Sequence, residues 1–212
     1  MPLQFVPHAA PPASCVSASG TARSIATKVA FGASMPDATL QARARNLLRN
    51  DGVVGKVHAL GAWRESAVHS QLSAALGASL APALQADLEW YQCRGAFFHN
   101  DAHYDARLFG IWCIVGPPAD VVFPRALLRL AGGPGSLIVF DPFEVHGVLA
   151  PGHNVYSPDH YQHAEASVFL GFELDITPAL AVAFGIHPSL EGQVISSRTR
   201  IAADSGTLDS AS

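Results

Sequence analysis

The chain has 212 residues, 49% of them hydrophobic, only 14% charged, and a formal net charge of −4. That is enough apolar sequence for one sizeable core. No basic stripe supports binding to nucleic acid or to an acidic membrane surface, and no apolar run is long enough to span a bilayer.

Residues 1–24 are rich in Pro, Ala and Ser without periodicity, which predicts a flexible N-terminal arm. No charged n-region followed by an apolar h-region marks a secretion signal. Cys15, Cys93 and Cys113 form neither a C-x-x-C pair nor an even-numbered framework, so a reduced, cytoplasmic protein is expected. A single domain is expected over residues 25–188, followed by a flexible C-terminal tail over 189–212. Pro36-Asp37 opens a helix that sets Leu40, Ala44, Leu47 and Leu48 on one face and ends at Asn50-Asp51-Gly52. Residues 53–57 read as a short strand, and residues 65–87 as a second helix interrupted near Pro82.

From Leu88 to Ile176 the texture changes to short β-like runs. These are E-W-Y-Q-C-R-G-A-F-F, R-L-F-G-I-W-C-I-V, S-L-I-V-F, E-V-H-G-V-L and A-S-V-F-L-G-F-E-L. G-P-P-A-D, A-G-G-P-G and A-P-G-H-N separate them. A short helix over 178–184 follows. The pattern predicts a mainly β protein with flanking helices, a sandwich or jelly roll with the two early helices over one face.

The stretch F-F-H-N-D-A-H-Y-D carries two overlapping His-x-Asp triplets, His99-x-Asp101 and His103-x-Asp105. Residues i and i+2 of an extended chain point to the same side, so either pair can reach one point in space. A third ligand is available downstream, where G-S-L-I-V-F-D-P-F-E-V-H ends at His146. Two histidines and one carboxylate on one side of a metal leave coordination positions open, which suits non-heme Fe(II). A structural zinc would want four ligands. The bland alternative is a hydrogen-bonded loop pair. A zincin-type reading of H-N-D-A-H needs a helix and a Glu after the first His, whereas Asn100 stands there and Phe97-Phe98 favours a strand.

Taken together, Tyr91, Gly95, His99 and Asp101, then R-x-x-x-I-W from Arg107 to Trp112, then the run from Gly135 to His146, resemble the Fe(II)/2-oxoglutarate dioxygenase superfamily in its prolyl-hydroxylase-like branch. The resemblance covers about residues 88–175. It implies a double-stranded β-helix, the cupin-like jelly roll, with His99, Asp101 and His146 as iron ligands. It implies a hydroxylase that uses Fe(II), 2-oxoglutarate and O₂ on an unidentified small-molecule or peptide substrate. Tyr91 matches a tyrosine that touches the co-substrate, and Arg107 an arginine that opens the next strand. His103 and Tyr104 would lie over the iron as substrate-binding residues. Trp112 and Ile114 would face the pocket. The alternative register, His103-x-Asp105, resembles the His-Tyr-Asp of JmjC-type oxygenases.

One position departs from the pattern. Glu165 falls where the family places an Arg or Lys for the far carboxylate of 2-oxoglutarate, a group that needs such a partner when buried. Arg94, Arg107 and Arg125 are the candidate replacements. Two other readings follow from the departure: an Fe(II) oxygenase that does without 2-oxoglutarate, and a catalytically inactive jelly-roll binding module. Cys113 sits in the apolar run I-W-C-I-V, where an inert thiol is expected rather than a nucleophile. Asp141 and Glu144 are either turn carboxylates or partners that orient His146.

Overall fold

The computed structural model describes residues 3–16, 20, 22–48, 53–104, 107–162, 164–188 and 191–208. Three strands come first: β1 (Gln4–Pro7), β2 (Ala13–Val16) and β3 (Ala22–Ser24). The expected flexible arm is therefore corrected. β1 pairs with β4 (Lys28–Ala33), and β2 pairs with β3. These strands are only three or four residues long, too short to leave a periodic signal. Helix α1 (Ala38–Leu47) starts as expected, because the Asp37 side chain accepts a 2.7 Å hydrogen bond from the Leu40 amide and Leu40 and Ala44 are buried. Its expected end at residues 50–52 lies outside the described residues.

Strand β5 runs Val57–Trp63, not 53–57; its pairing partner defines it, since it lies along β6 from Val57 opposite Cys93 to Trp63 opposite Leu88. Helix α2 (Ser66–Leu80) buries Val68, Leu72, Leu76 and Leu80 at four-residue spacing. It stops before Pro82, which sits in a 3₁₀ turn over Ala81–Ala83, and not at Asp87. The residues beyond belong to β6 (Leu84–Cys93). Then come β7 (Ala96–His99), β8 (Arg107–Val115), β9 (Ala119–Phe123), β10 (Leu128–Gly132), β11 (Ser136–Phe140), β12 (His146–Leu149) and β13 (Ser167–Asp175). The hairpin β9–β10 was not anticipated, because G-P-P-A-D reads as punctuation although its last two residues open β9. Helix α3 (Pro178–Phe184), capped by Thr177, falls where expected. The tail is also corrected over its described residues: β14 (Gln193–Ile195) pairs in parallel with β2, and Ile201 bridges Leu208.

A seven-stranded sheet has the order β1-β4-β11-β8-β13-β6-β5, and a four-stranded sheet the order β10-β9-β12-β7. Strands β11-β8-β13-β6 and the four-stranded sheet are the two faces of a double-stranded β-helix, the jelly roll that the strand pattern and the resemblance predict. Tyr91, Phe109, Ile138, Phe140 and Phe169 from the large sheet meet Val121, Phe123 and Leu130 from the small one. The helices cover the opposite face of the large sheet, where Leu72, Leu76, Leu180 and Phe184 pack with Leu88, Trp90, Leu170 and Phe172.

Trp112 and Ile114 belong to this helix-covered layer, and the Trp112 indole donates to the Ser34 carbonyl at 2.8 Å. The expected pocket role of Trp112 is therefore wrong by one step of strand phase. Gly110 faces the helices too, because a Cβ there would meet the Phe172 ring. Phe109, Ile111 and Cys113 point between the sheets instead. A one-residue shift exchanges the two faces of any strand.

The turn before β12 is held by a buried ion pair. Asp141 accepts from Arg23 of β3 through both oxygens, and also from the amides of Ala26 and Phe143 at 3.0 and 3.1 Å. The side chains of Arg23 and Asp141 are 10% and 1% exposed, so removing one partner strands a charge in the interior. Arg23→Ala is expected to destabilise the fold by about 3–5 kcal/mol, read as a shift in the urea midpoint. Arg64→Ala, which removes a pair with Asp87 at the surface, is expected to leave that midpoint in place.

Candidate metal centre

His99 ends β7 and His146 begins β12, and the two are direct cross-strand partners. Asp101 lies two residues beyond β7. Its amide donates to the Pro142 carbonyl at 2.8 Å, which ties it to the turn before His146. One ligand atom from each of the three lies within 4.8 Å of the others. The Asp101 oxygens are 3.8 Å from His99 Nε2 and 3.4 Å from His146 Nε2.

Both imidazoles are oriented by the same local device. His99 Nδ1 meets the Phe97 carbonyl at 2.7 Å, and His146 Nδ1 meets the Glu144 carbonyl at 2.9 Å. A carbonyl only accepts, so each Nδ1 carries the proton and each Nε2 faces Asp101. Burial, reinforced by the neighbouring His146, holds the His99 pKa below its ordinary value. Burial pushes the Asp101 carboxyl up, but when the rings are protonated the hydrogen bond and charge of His146, with His99 and His103, outweigh it and hold it below the usual range. Imidazole lone pairs and a carboxylate converging in a pocket repel one another unless a cation lies between them. No fourth His, Cys, Asp or Glu joins the cluster among the described residues. The donor set thus fits a divalent metal with coordination positions left for ligands, not a closed structural zinc.

The triad opens onto a cavity of about 570 Å³ between the two sheets. Tyr91, His103 and Tyr104 line it. Tyr104 stacks on Phe109 at a centroid distance of 4.8 Å, and its hydroxyl meets that of Tyr91 at 3.1 Å. Tyr91 in turn donates to Glu89 at 2.6 Å. Asp105 lies outside the described residues.

The candidate arginines separate. Arg107 is paired with Glu173 and Asp175, and Arg125 with Glu144 at 3.1 Å. Neither is among the cavity's lining residues, whereas Arg94 is, and Glu165 lies exposed at the rim. The structure therefore does not bring Arg107 and Arg125, the expected cofactor-binding arginines, to the cavity lining. Their carboxylate partners lie far along the chain and meet them only in the fold. Glu144 orients His146 through its main chain, and Asp141 serves the turn. Cys113 is in the cavity wall, with its thiol pushed up to about 12 by burial, so it stays protonated and unreactive at neutral pH. Sequence reasoning missed His160 and Tyr161, which line the cavity from the long connection between β12 and β13. No periodic signal marks that segment.

No family model matches the sequence, and no curated protein does. Solved structures do match. A prolyl-4-hydroxylase from Pseudomonas putida is 14% identical, with 69% of this chain and 92% of that chain covered and a TM-score of 0.44. An oxidoreductase of the 2OG-Fe(II) oxygenase family from Burkholderia pseudomallei is 11% identical, with 78% and 87% covered and a TM-score of 0.40. A polyketide cyclase from Streptomyces resistomycificus is 15% identical, with 46% and 71% covered and a TM-score of 0.28. These likenesses concern the fold. No helix among the described residues is long and apolar enough to cross a membrane.

His99→Ala and His146→Ala are expected to lose stoichiometric Mn(II) binding in titration calorimetry while remaining folded. His103→Ala is expected to keep it, and retention by His146→Ala would dismiss the triad. Protons compete with a metal for imidazole lone pairs. Because the folded pKa of His99 lies below its ordinary 6.5, Mn(II) affinity should hold at neutral pH and fall in acid. The metal-free fold follows the same sign. The unfolded chain takes up that proton first, so the contribution of His99 is present above 6.5 and is lost as pH falls through the depressed folded value. Calorimetry and urea midpoints at a series of pH values check both.

Proposed function

We propose that this chain is a non-heme Fe(II)-dependent oxygenase that hydroxylates an organic substrate, with 2-oxoglutarate as co-substrate. The observation that carries the reading is the pair of carbonyl-anchored imidazoles whose Nε2 atoms converge on Asp101 beside an internal cavity. His99, Asp101 and His146 would hold the iron. Fe(II), when bound, supplies the activation of O₂, for which no amino-acid side chain suffices.

The chain's own residues do the rest. The Phe97 and Glu144 carbonyls fix the ligand rings before any metal arrives, so little ordering remains to be done on binding. The sheet walls line the space beside the triad with apolar side chains. Arg94 lines the cavity and is placed to face a co-substrate carboxylate, whereas Arg107 and Arg125 are ion-paired outside the lining. Those engagements, together with Glu165 at the rim, also favour a second reading, an Fe(II) oxygenase that takes its electrons from the substrate and not from 2-oxoglutarate. The free cysteines fit a reducing compartment.

Anaerobic titration of the Fe(II)-loaded protein with 2-oxoglutarate separates the two. The expected outcome is the weak visible charge-transfer band of a chelated 2-oxo acid, with Arg94→Ala raising the half-saturation concentration at least tenfold. A charge-assisted hydrogen bond of about 1.5–3 kcal/mol accounts for that factor. Iron bound without a band would favour the second reading. Failure to bind iron would dismiss both.

A further inference from the structure

We propose that the body of the cavity binds a compact, apolar small molecule as the substrate, not a peptide or a free amino acid; this rests on the oxygenase reading. The wall facing the interior is built from Phe109, Ile111, Val121, Ile138, Phe140 and Phe169. At about 570 Å³ the cavity is of the size that takes a small organic ligand.

The hydroxyls of Tyr91, Tyr104, Tyr161 and Ser136 lead to the same class, because each already has a hydrogen-bond partner within the protein. Tyr91 donates to Glu89 and meets Tyr104. The Tyr161 hydroxyl donates to the Val148 carbonyl at 3.0 Å. The Ser136 hydroxyl donates to the Gly133 carbonyl at 2.7 Å and accepts from the Gly133 amide at 3.1 Å. A peptide drawn into this space would bury amides against a wall with few hydrogen-bonding groups to spare, and each unpaired amide is costly. A zwitterionic amino acid would fare worse. An apolar molecule loses nothing there and gains by leaving water. The charged groups and histidines of the lining are the triad with His103, and Arg94, His160 and Glu165, and the apolar wall meets the triad directly, with the Phe140 and His146 rings 4.6 Å apart. The apolar body of the ligand therefore lies between the sheets with one end toward His99, Asp101 and His146.

The test uses the neutral apolar fluorophore N-phenyl-1-naphthylamine as probe, with Mn(II) in the metal site. The folded wild type is expected to bind one equivalent with a blue-shifted emission. Bound Mn(II) is expected to broaden the proton resonances of the bound probe beyond the metal-free control. Ile111→Trp, which fills the cavity, should weaken binding at least tenfold while keeping the wild-type melting midpoint. Ile111→Ala, which removes wall contact without adding bulk, should weaken it several-fold and serves if the larger variant does not fold. No binding to the folded wild type, binding indifferent to the Ile111 variant that folds, or displacement of the probe by a short proline-containing peptide would overturn the proposal. Probe binding without broadening, in protein shown to hold Mn(II), would overturn it too. If Mn(II) itself fails to bind, the oxygenase reading falls, and the Ile111 variants still decide whether the cavity takes an apolar ligand.

Discussion

The turn that runs from Asp141 to Glu144 is the constraint on which the site depends. Its first residue takes the Arg23 guanidinium and two backbone amides. Its second, Pro142, offers the carbonyl that receives the Asp101 amide, and its last, Glu144, offers the carbonyl that receives His146 Nδ1. One short segment therefore sets the placement of two of the three triad residues. The third, His99, is placed by pairing with His146 across β7 and β12. The geometry of the triad is thus tied to a buried charge, and through Arg23 to a strand near the N-terminus. Burying such a pair is favourable only when the remaining lone pairs find donors, and the Ala26 and Phe143 amides supply them.

This dependence explains what was legible in the sequence and what was not. The triad could be read because its spacing is local, with His99 and Asp101 two apart and His146 at the head of a strand that follows a turn. The short strands and helix α3 could be read from composition and punctuation. The phase of β8 could not, because both of its faces are apolar. Phe109, Ile111 and Cys113 look no more interior than Gly110, Trp112 and Ile114 until the helices are seen to take one side. The N-terminal strands were hidden for a related reason. Their residues owe their order to partners far along the chain, as when the Ser14 hydroxyl donates to the Glu191 carbonyl.

The arginines show how pairing at a distance limits functional reading. Arg107 opens β8 where the resemblance places an arginine, yet its guanidinium is turned toward Glu173 and Asp175 of β13. Arg125 is drawn to Glu144, whose carboxyl burial raises against the pull of that same arginine. Glu144 is buried, and leaving its carboxylate alone would cost more than the pair returns, whereas the Arg107 pairs are partly exposed. Arginines committed in this way hold strands and turns together and are lost to ligand binding. Position in a motif therefore says little about an arginine's role until the carboxylates of the neighbouring strands are placed.

The two faces of the large sheet then divide the work. Toward the helices, Trp90, Trp112 and Phe172 fill a close-packed layer in which the indole of Trp112 is satisfied by a main-chain carbonyl. Toward the small sheet, residues of the same strands line a space that packing leaves open. Leaving about 570 Å³ unfilled forfeits dispersion contacts that a closed core would make. The helix-covered layer is what offsets that loss, since it buries apolar surface on the face that needs no opening. A metal pocket with neutral imidazoles needs the same low-polarity surroundings, because burial is the leading cause that holds His99 below its ordinary pKa. The apolar wall thus serves two ends at once: its burial holds His99 below its ordinary pKa, and it is poorly matched to ligands that would bring unpaired polar groups into the barrel.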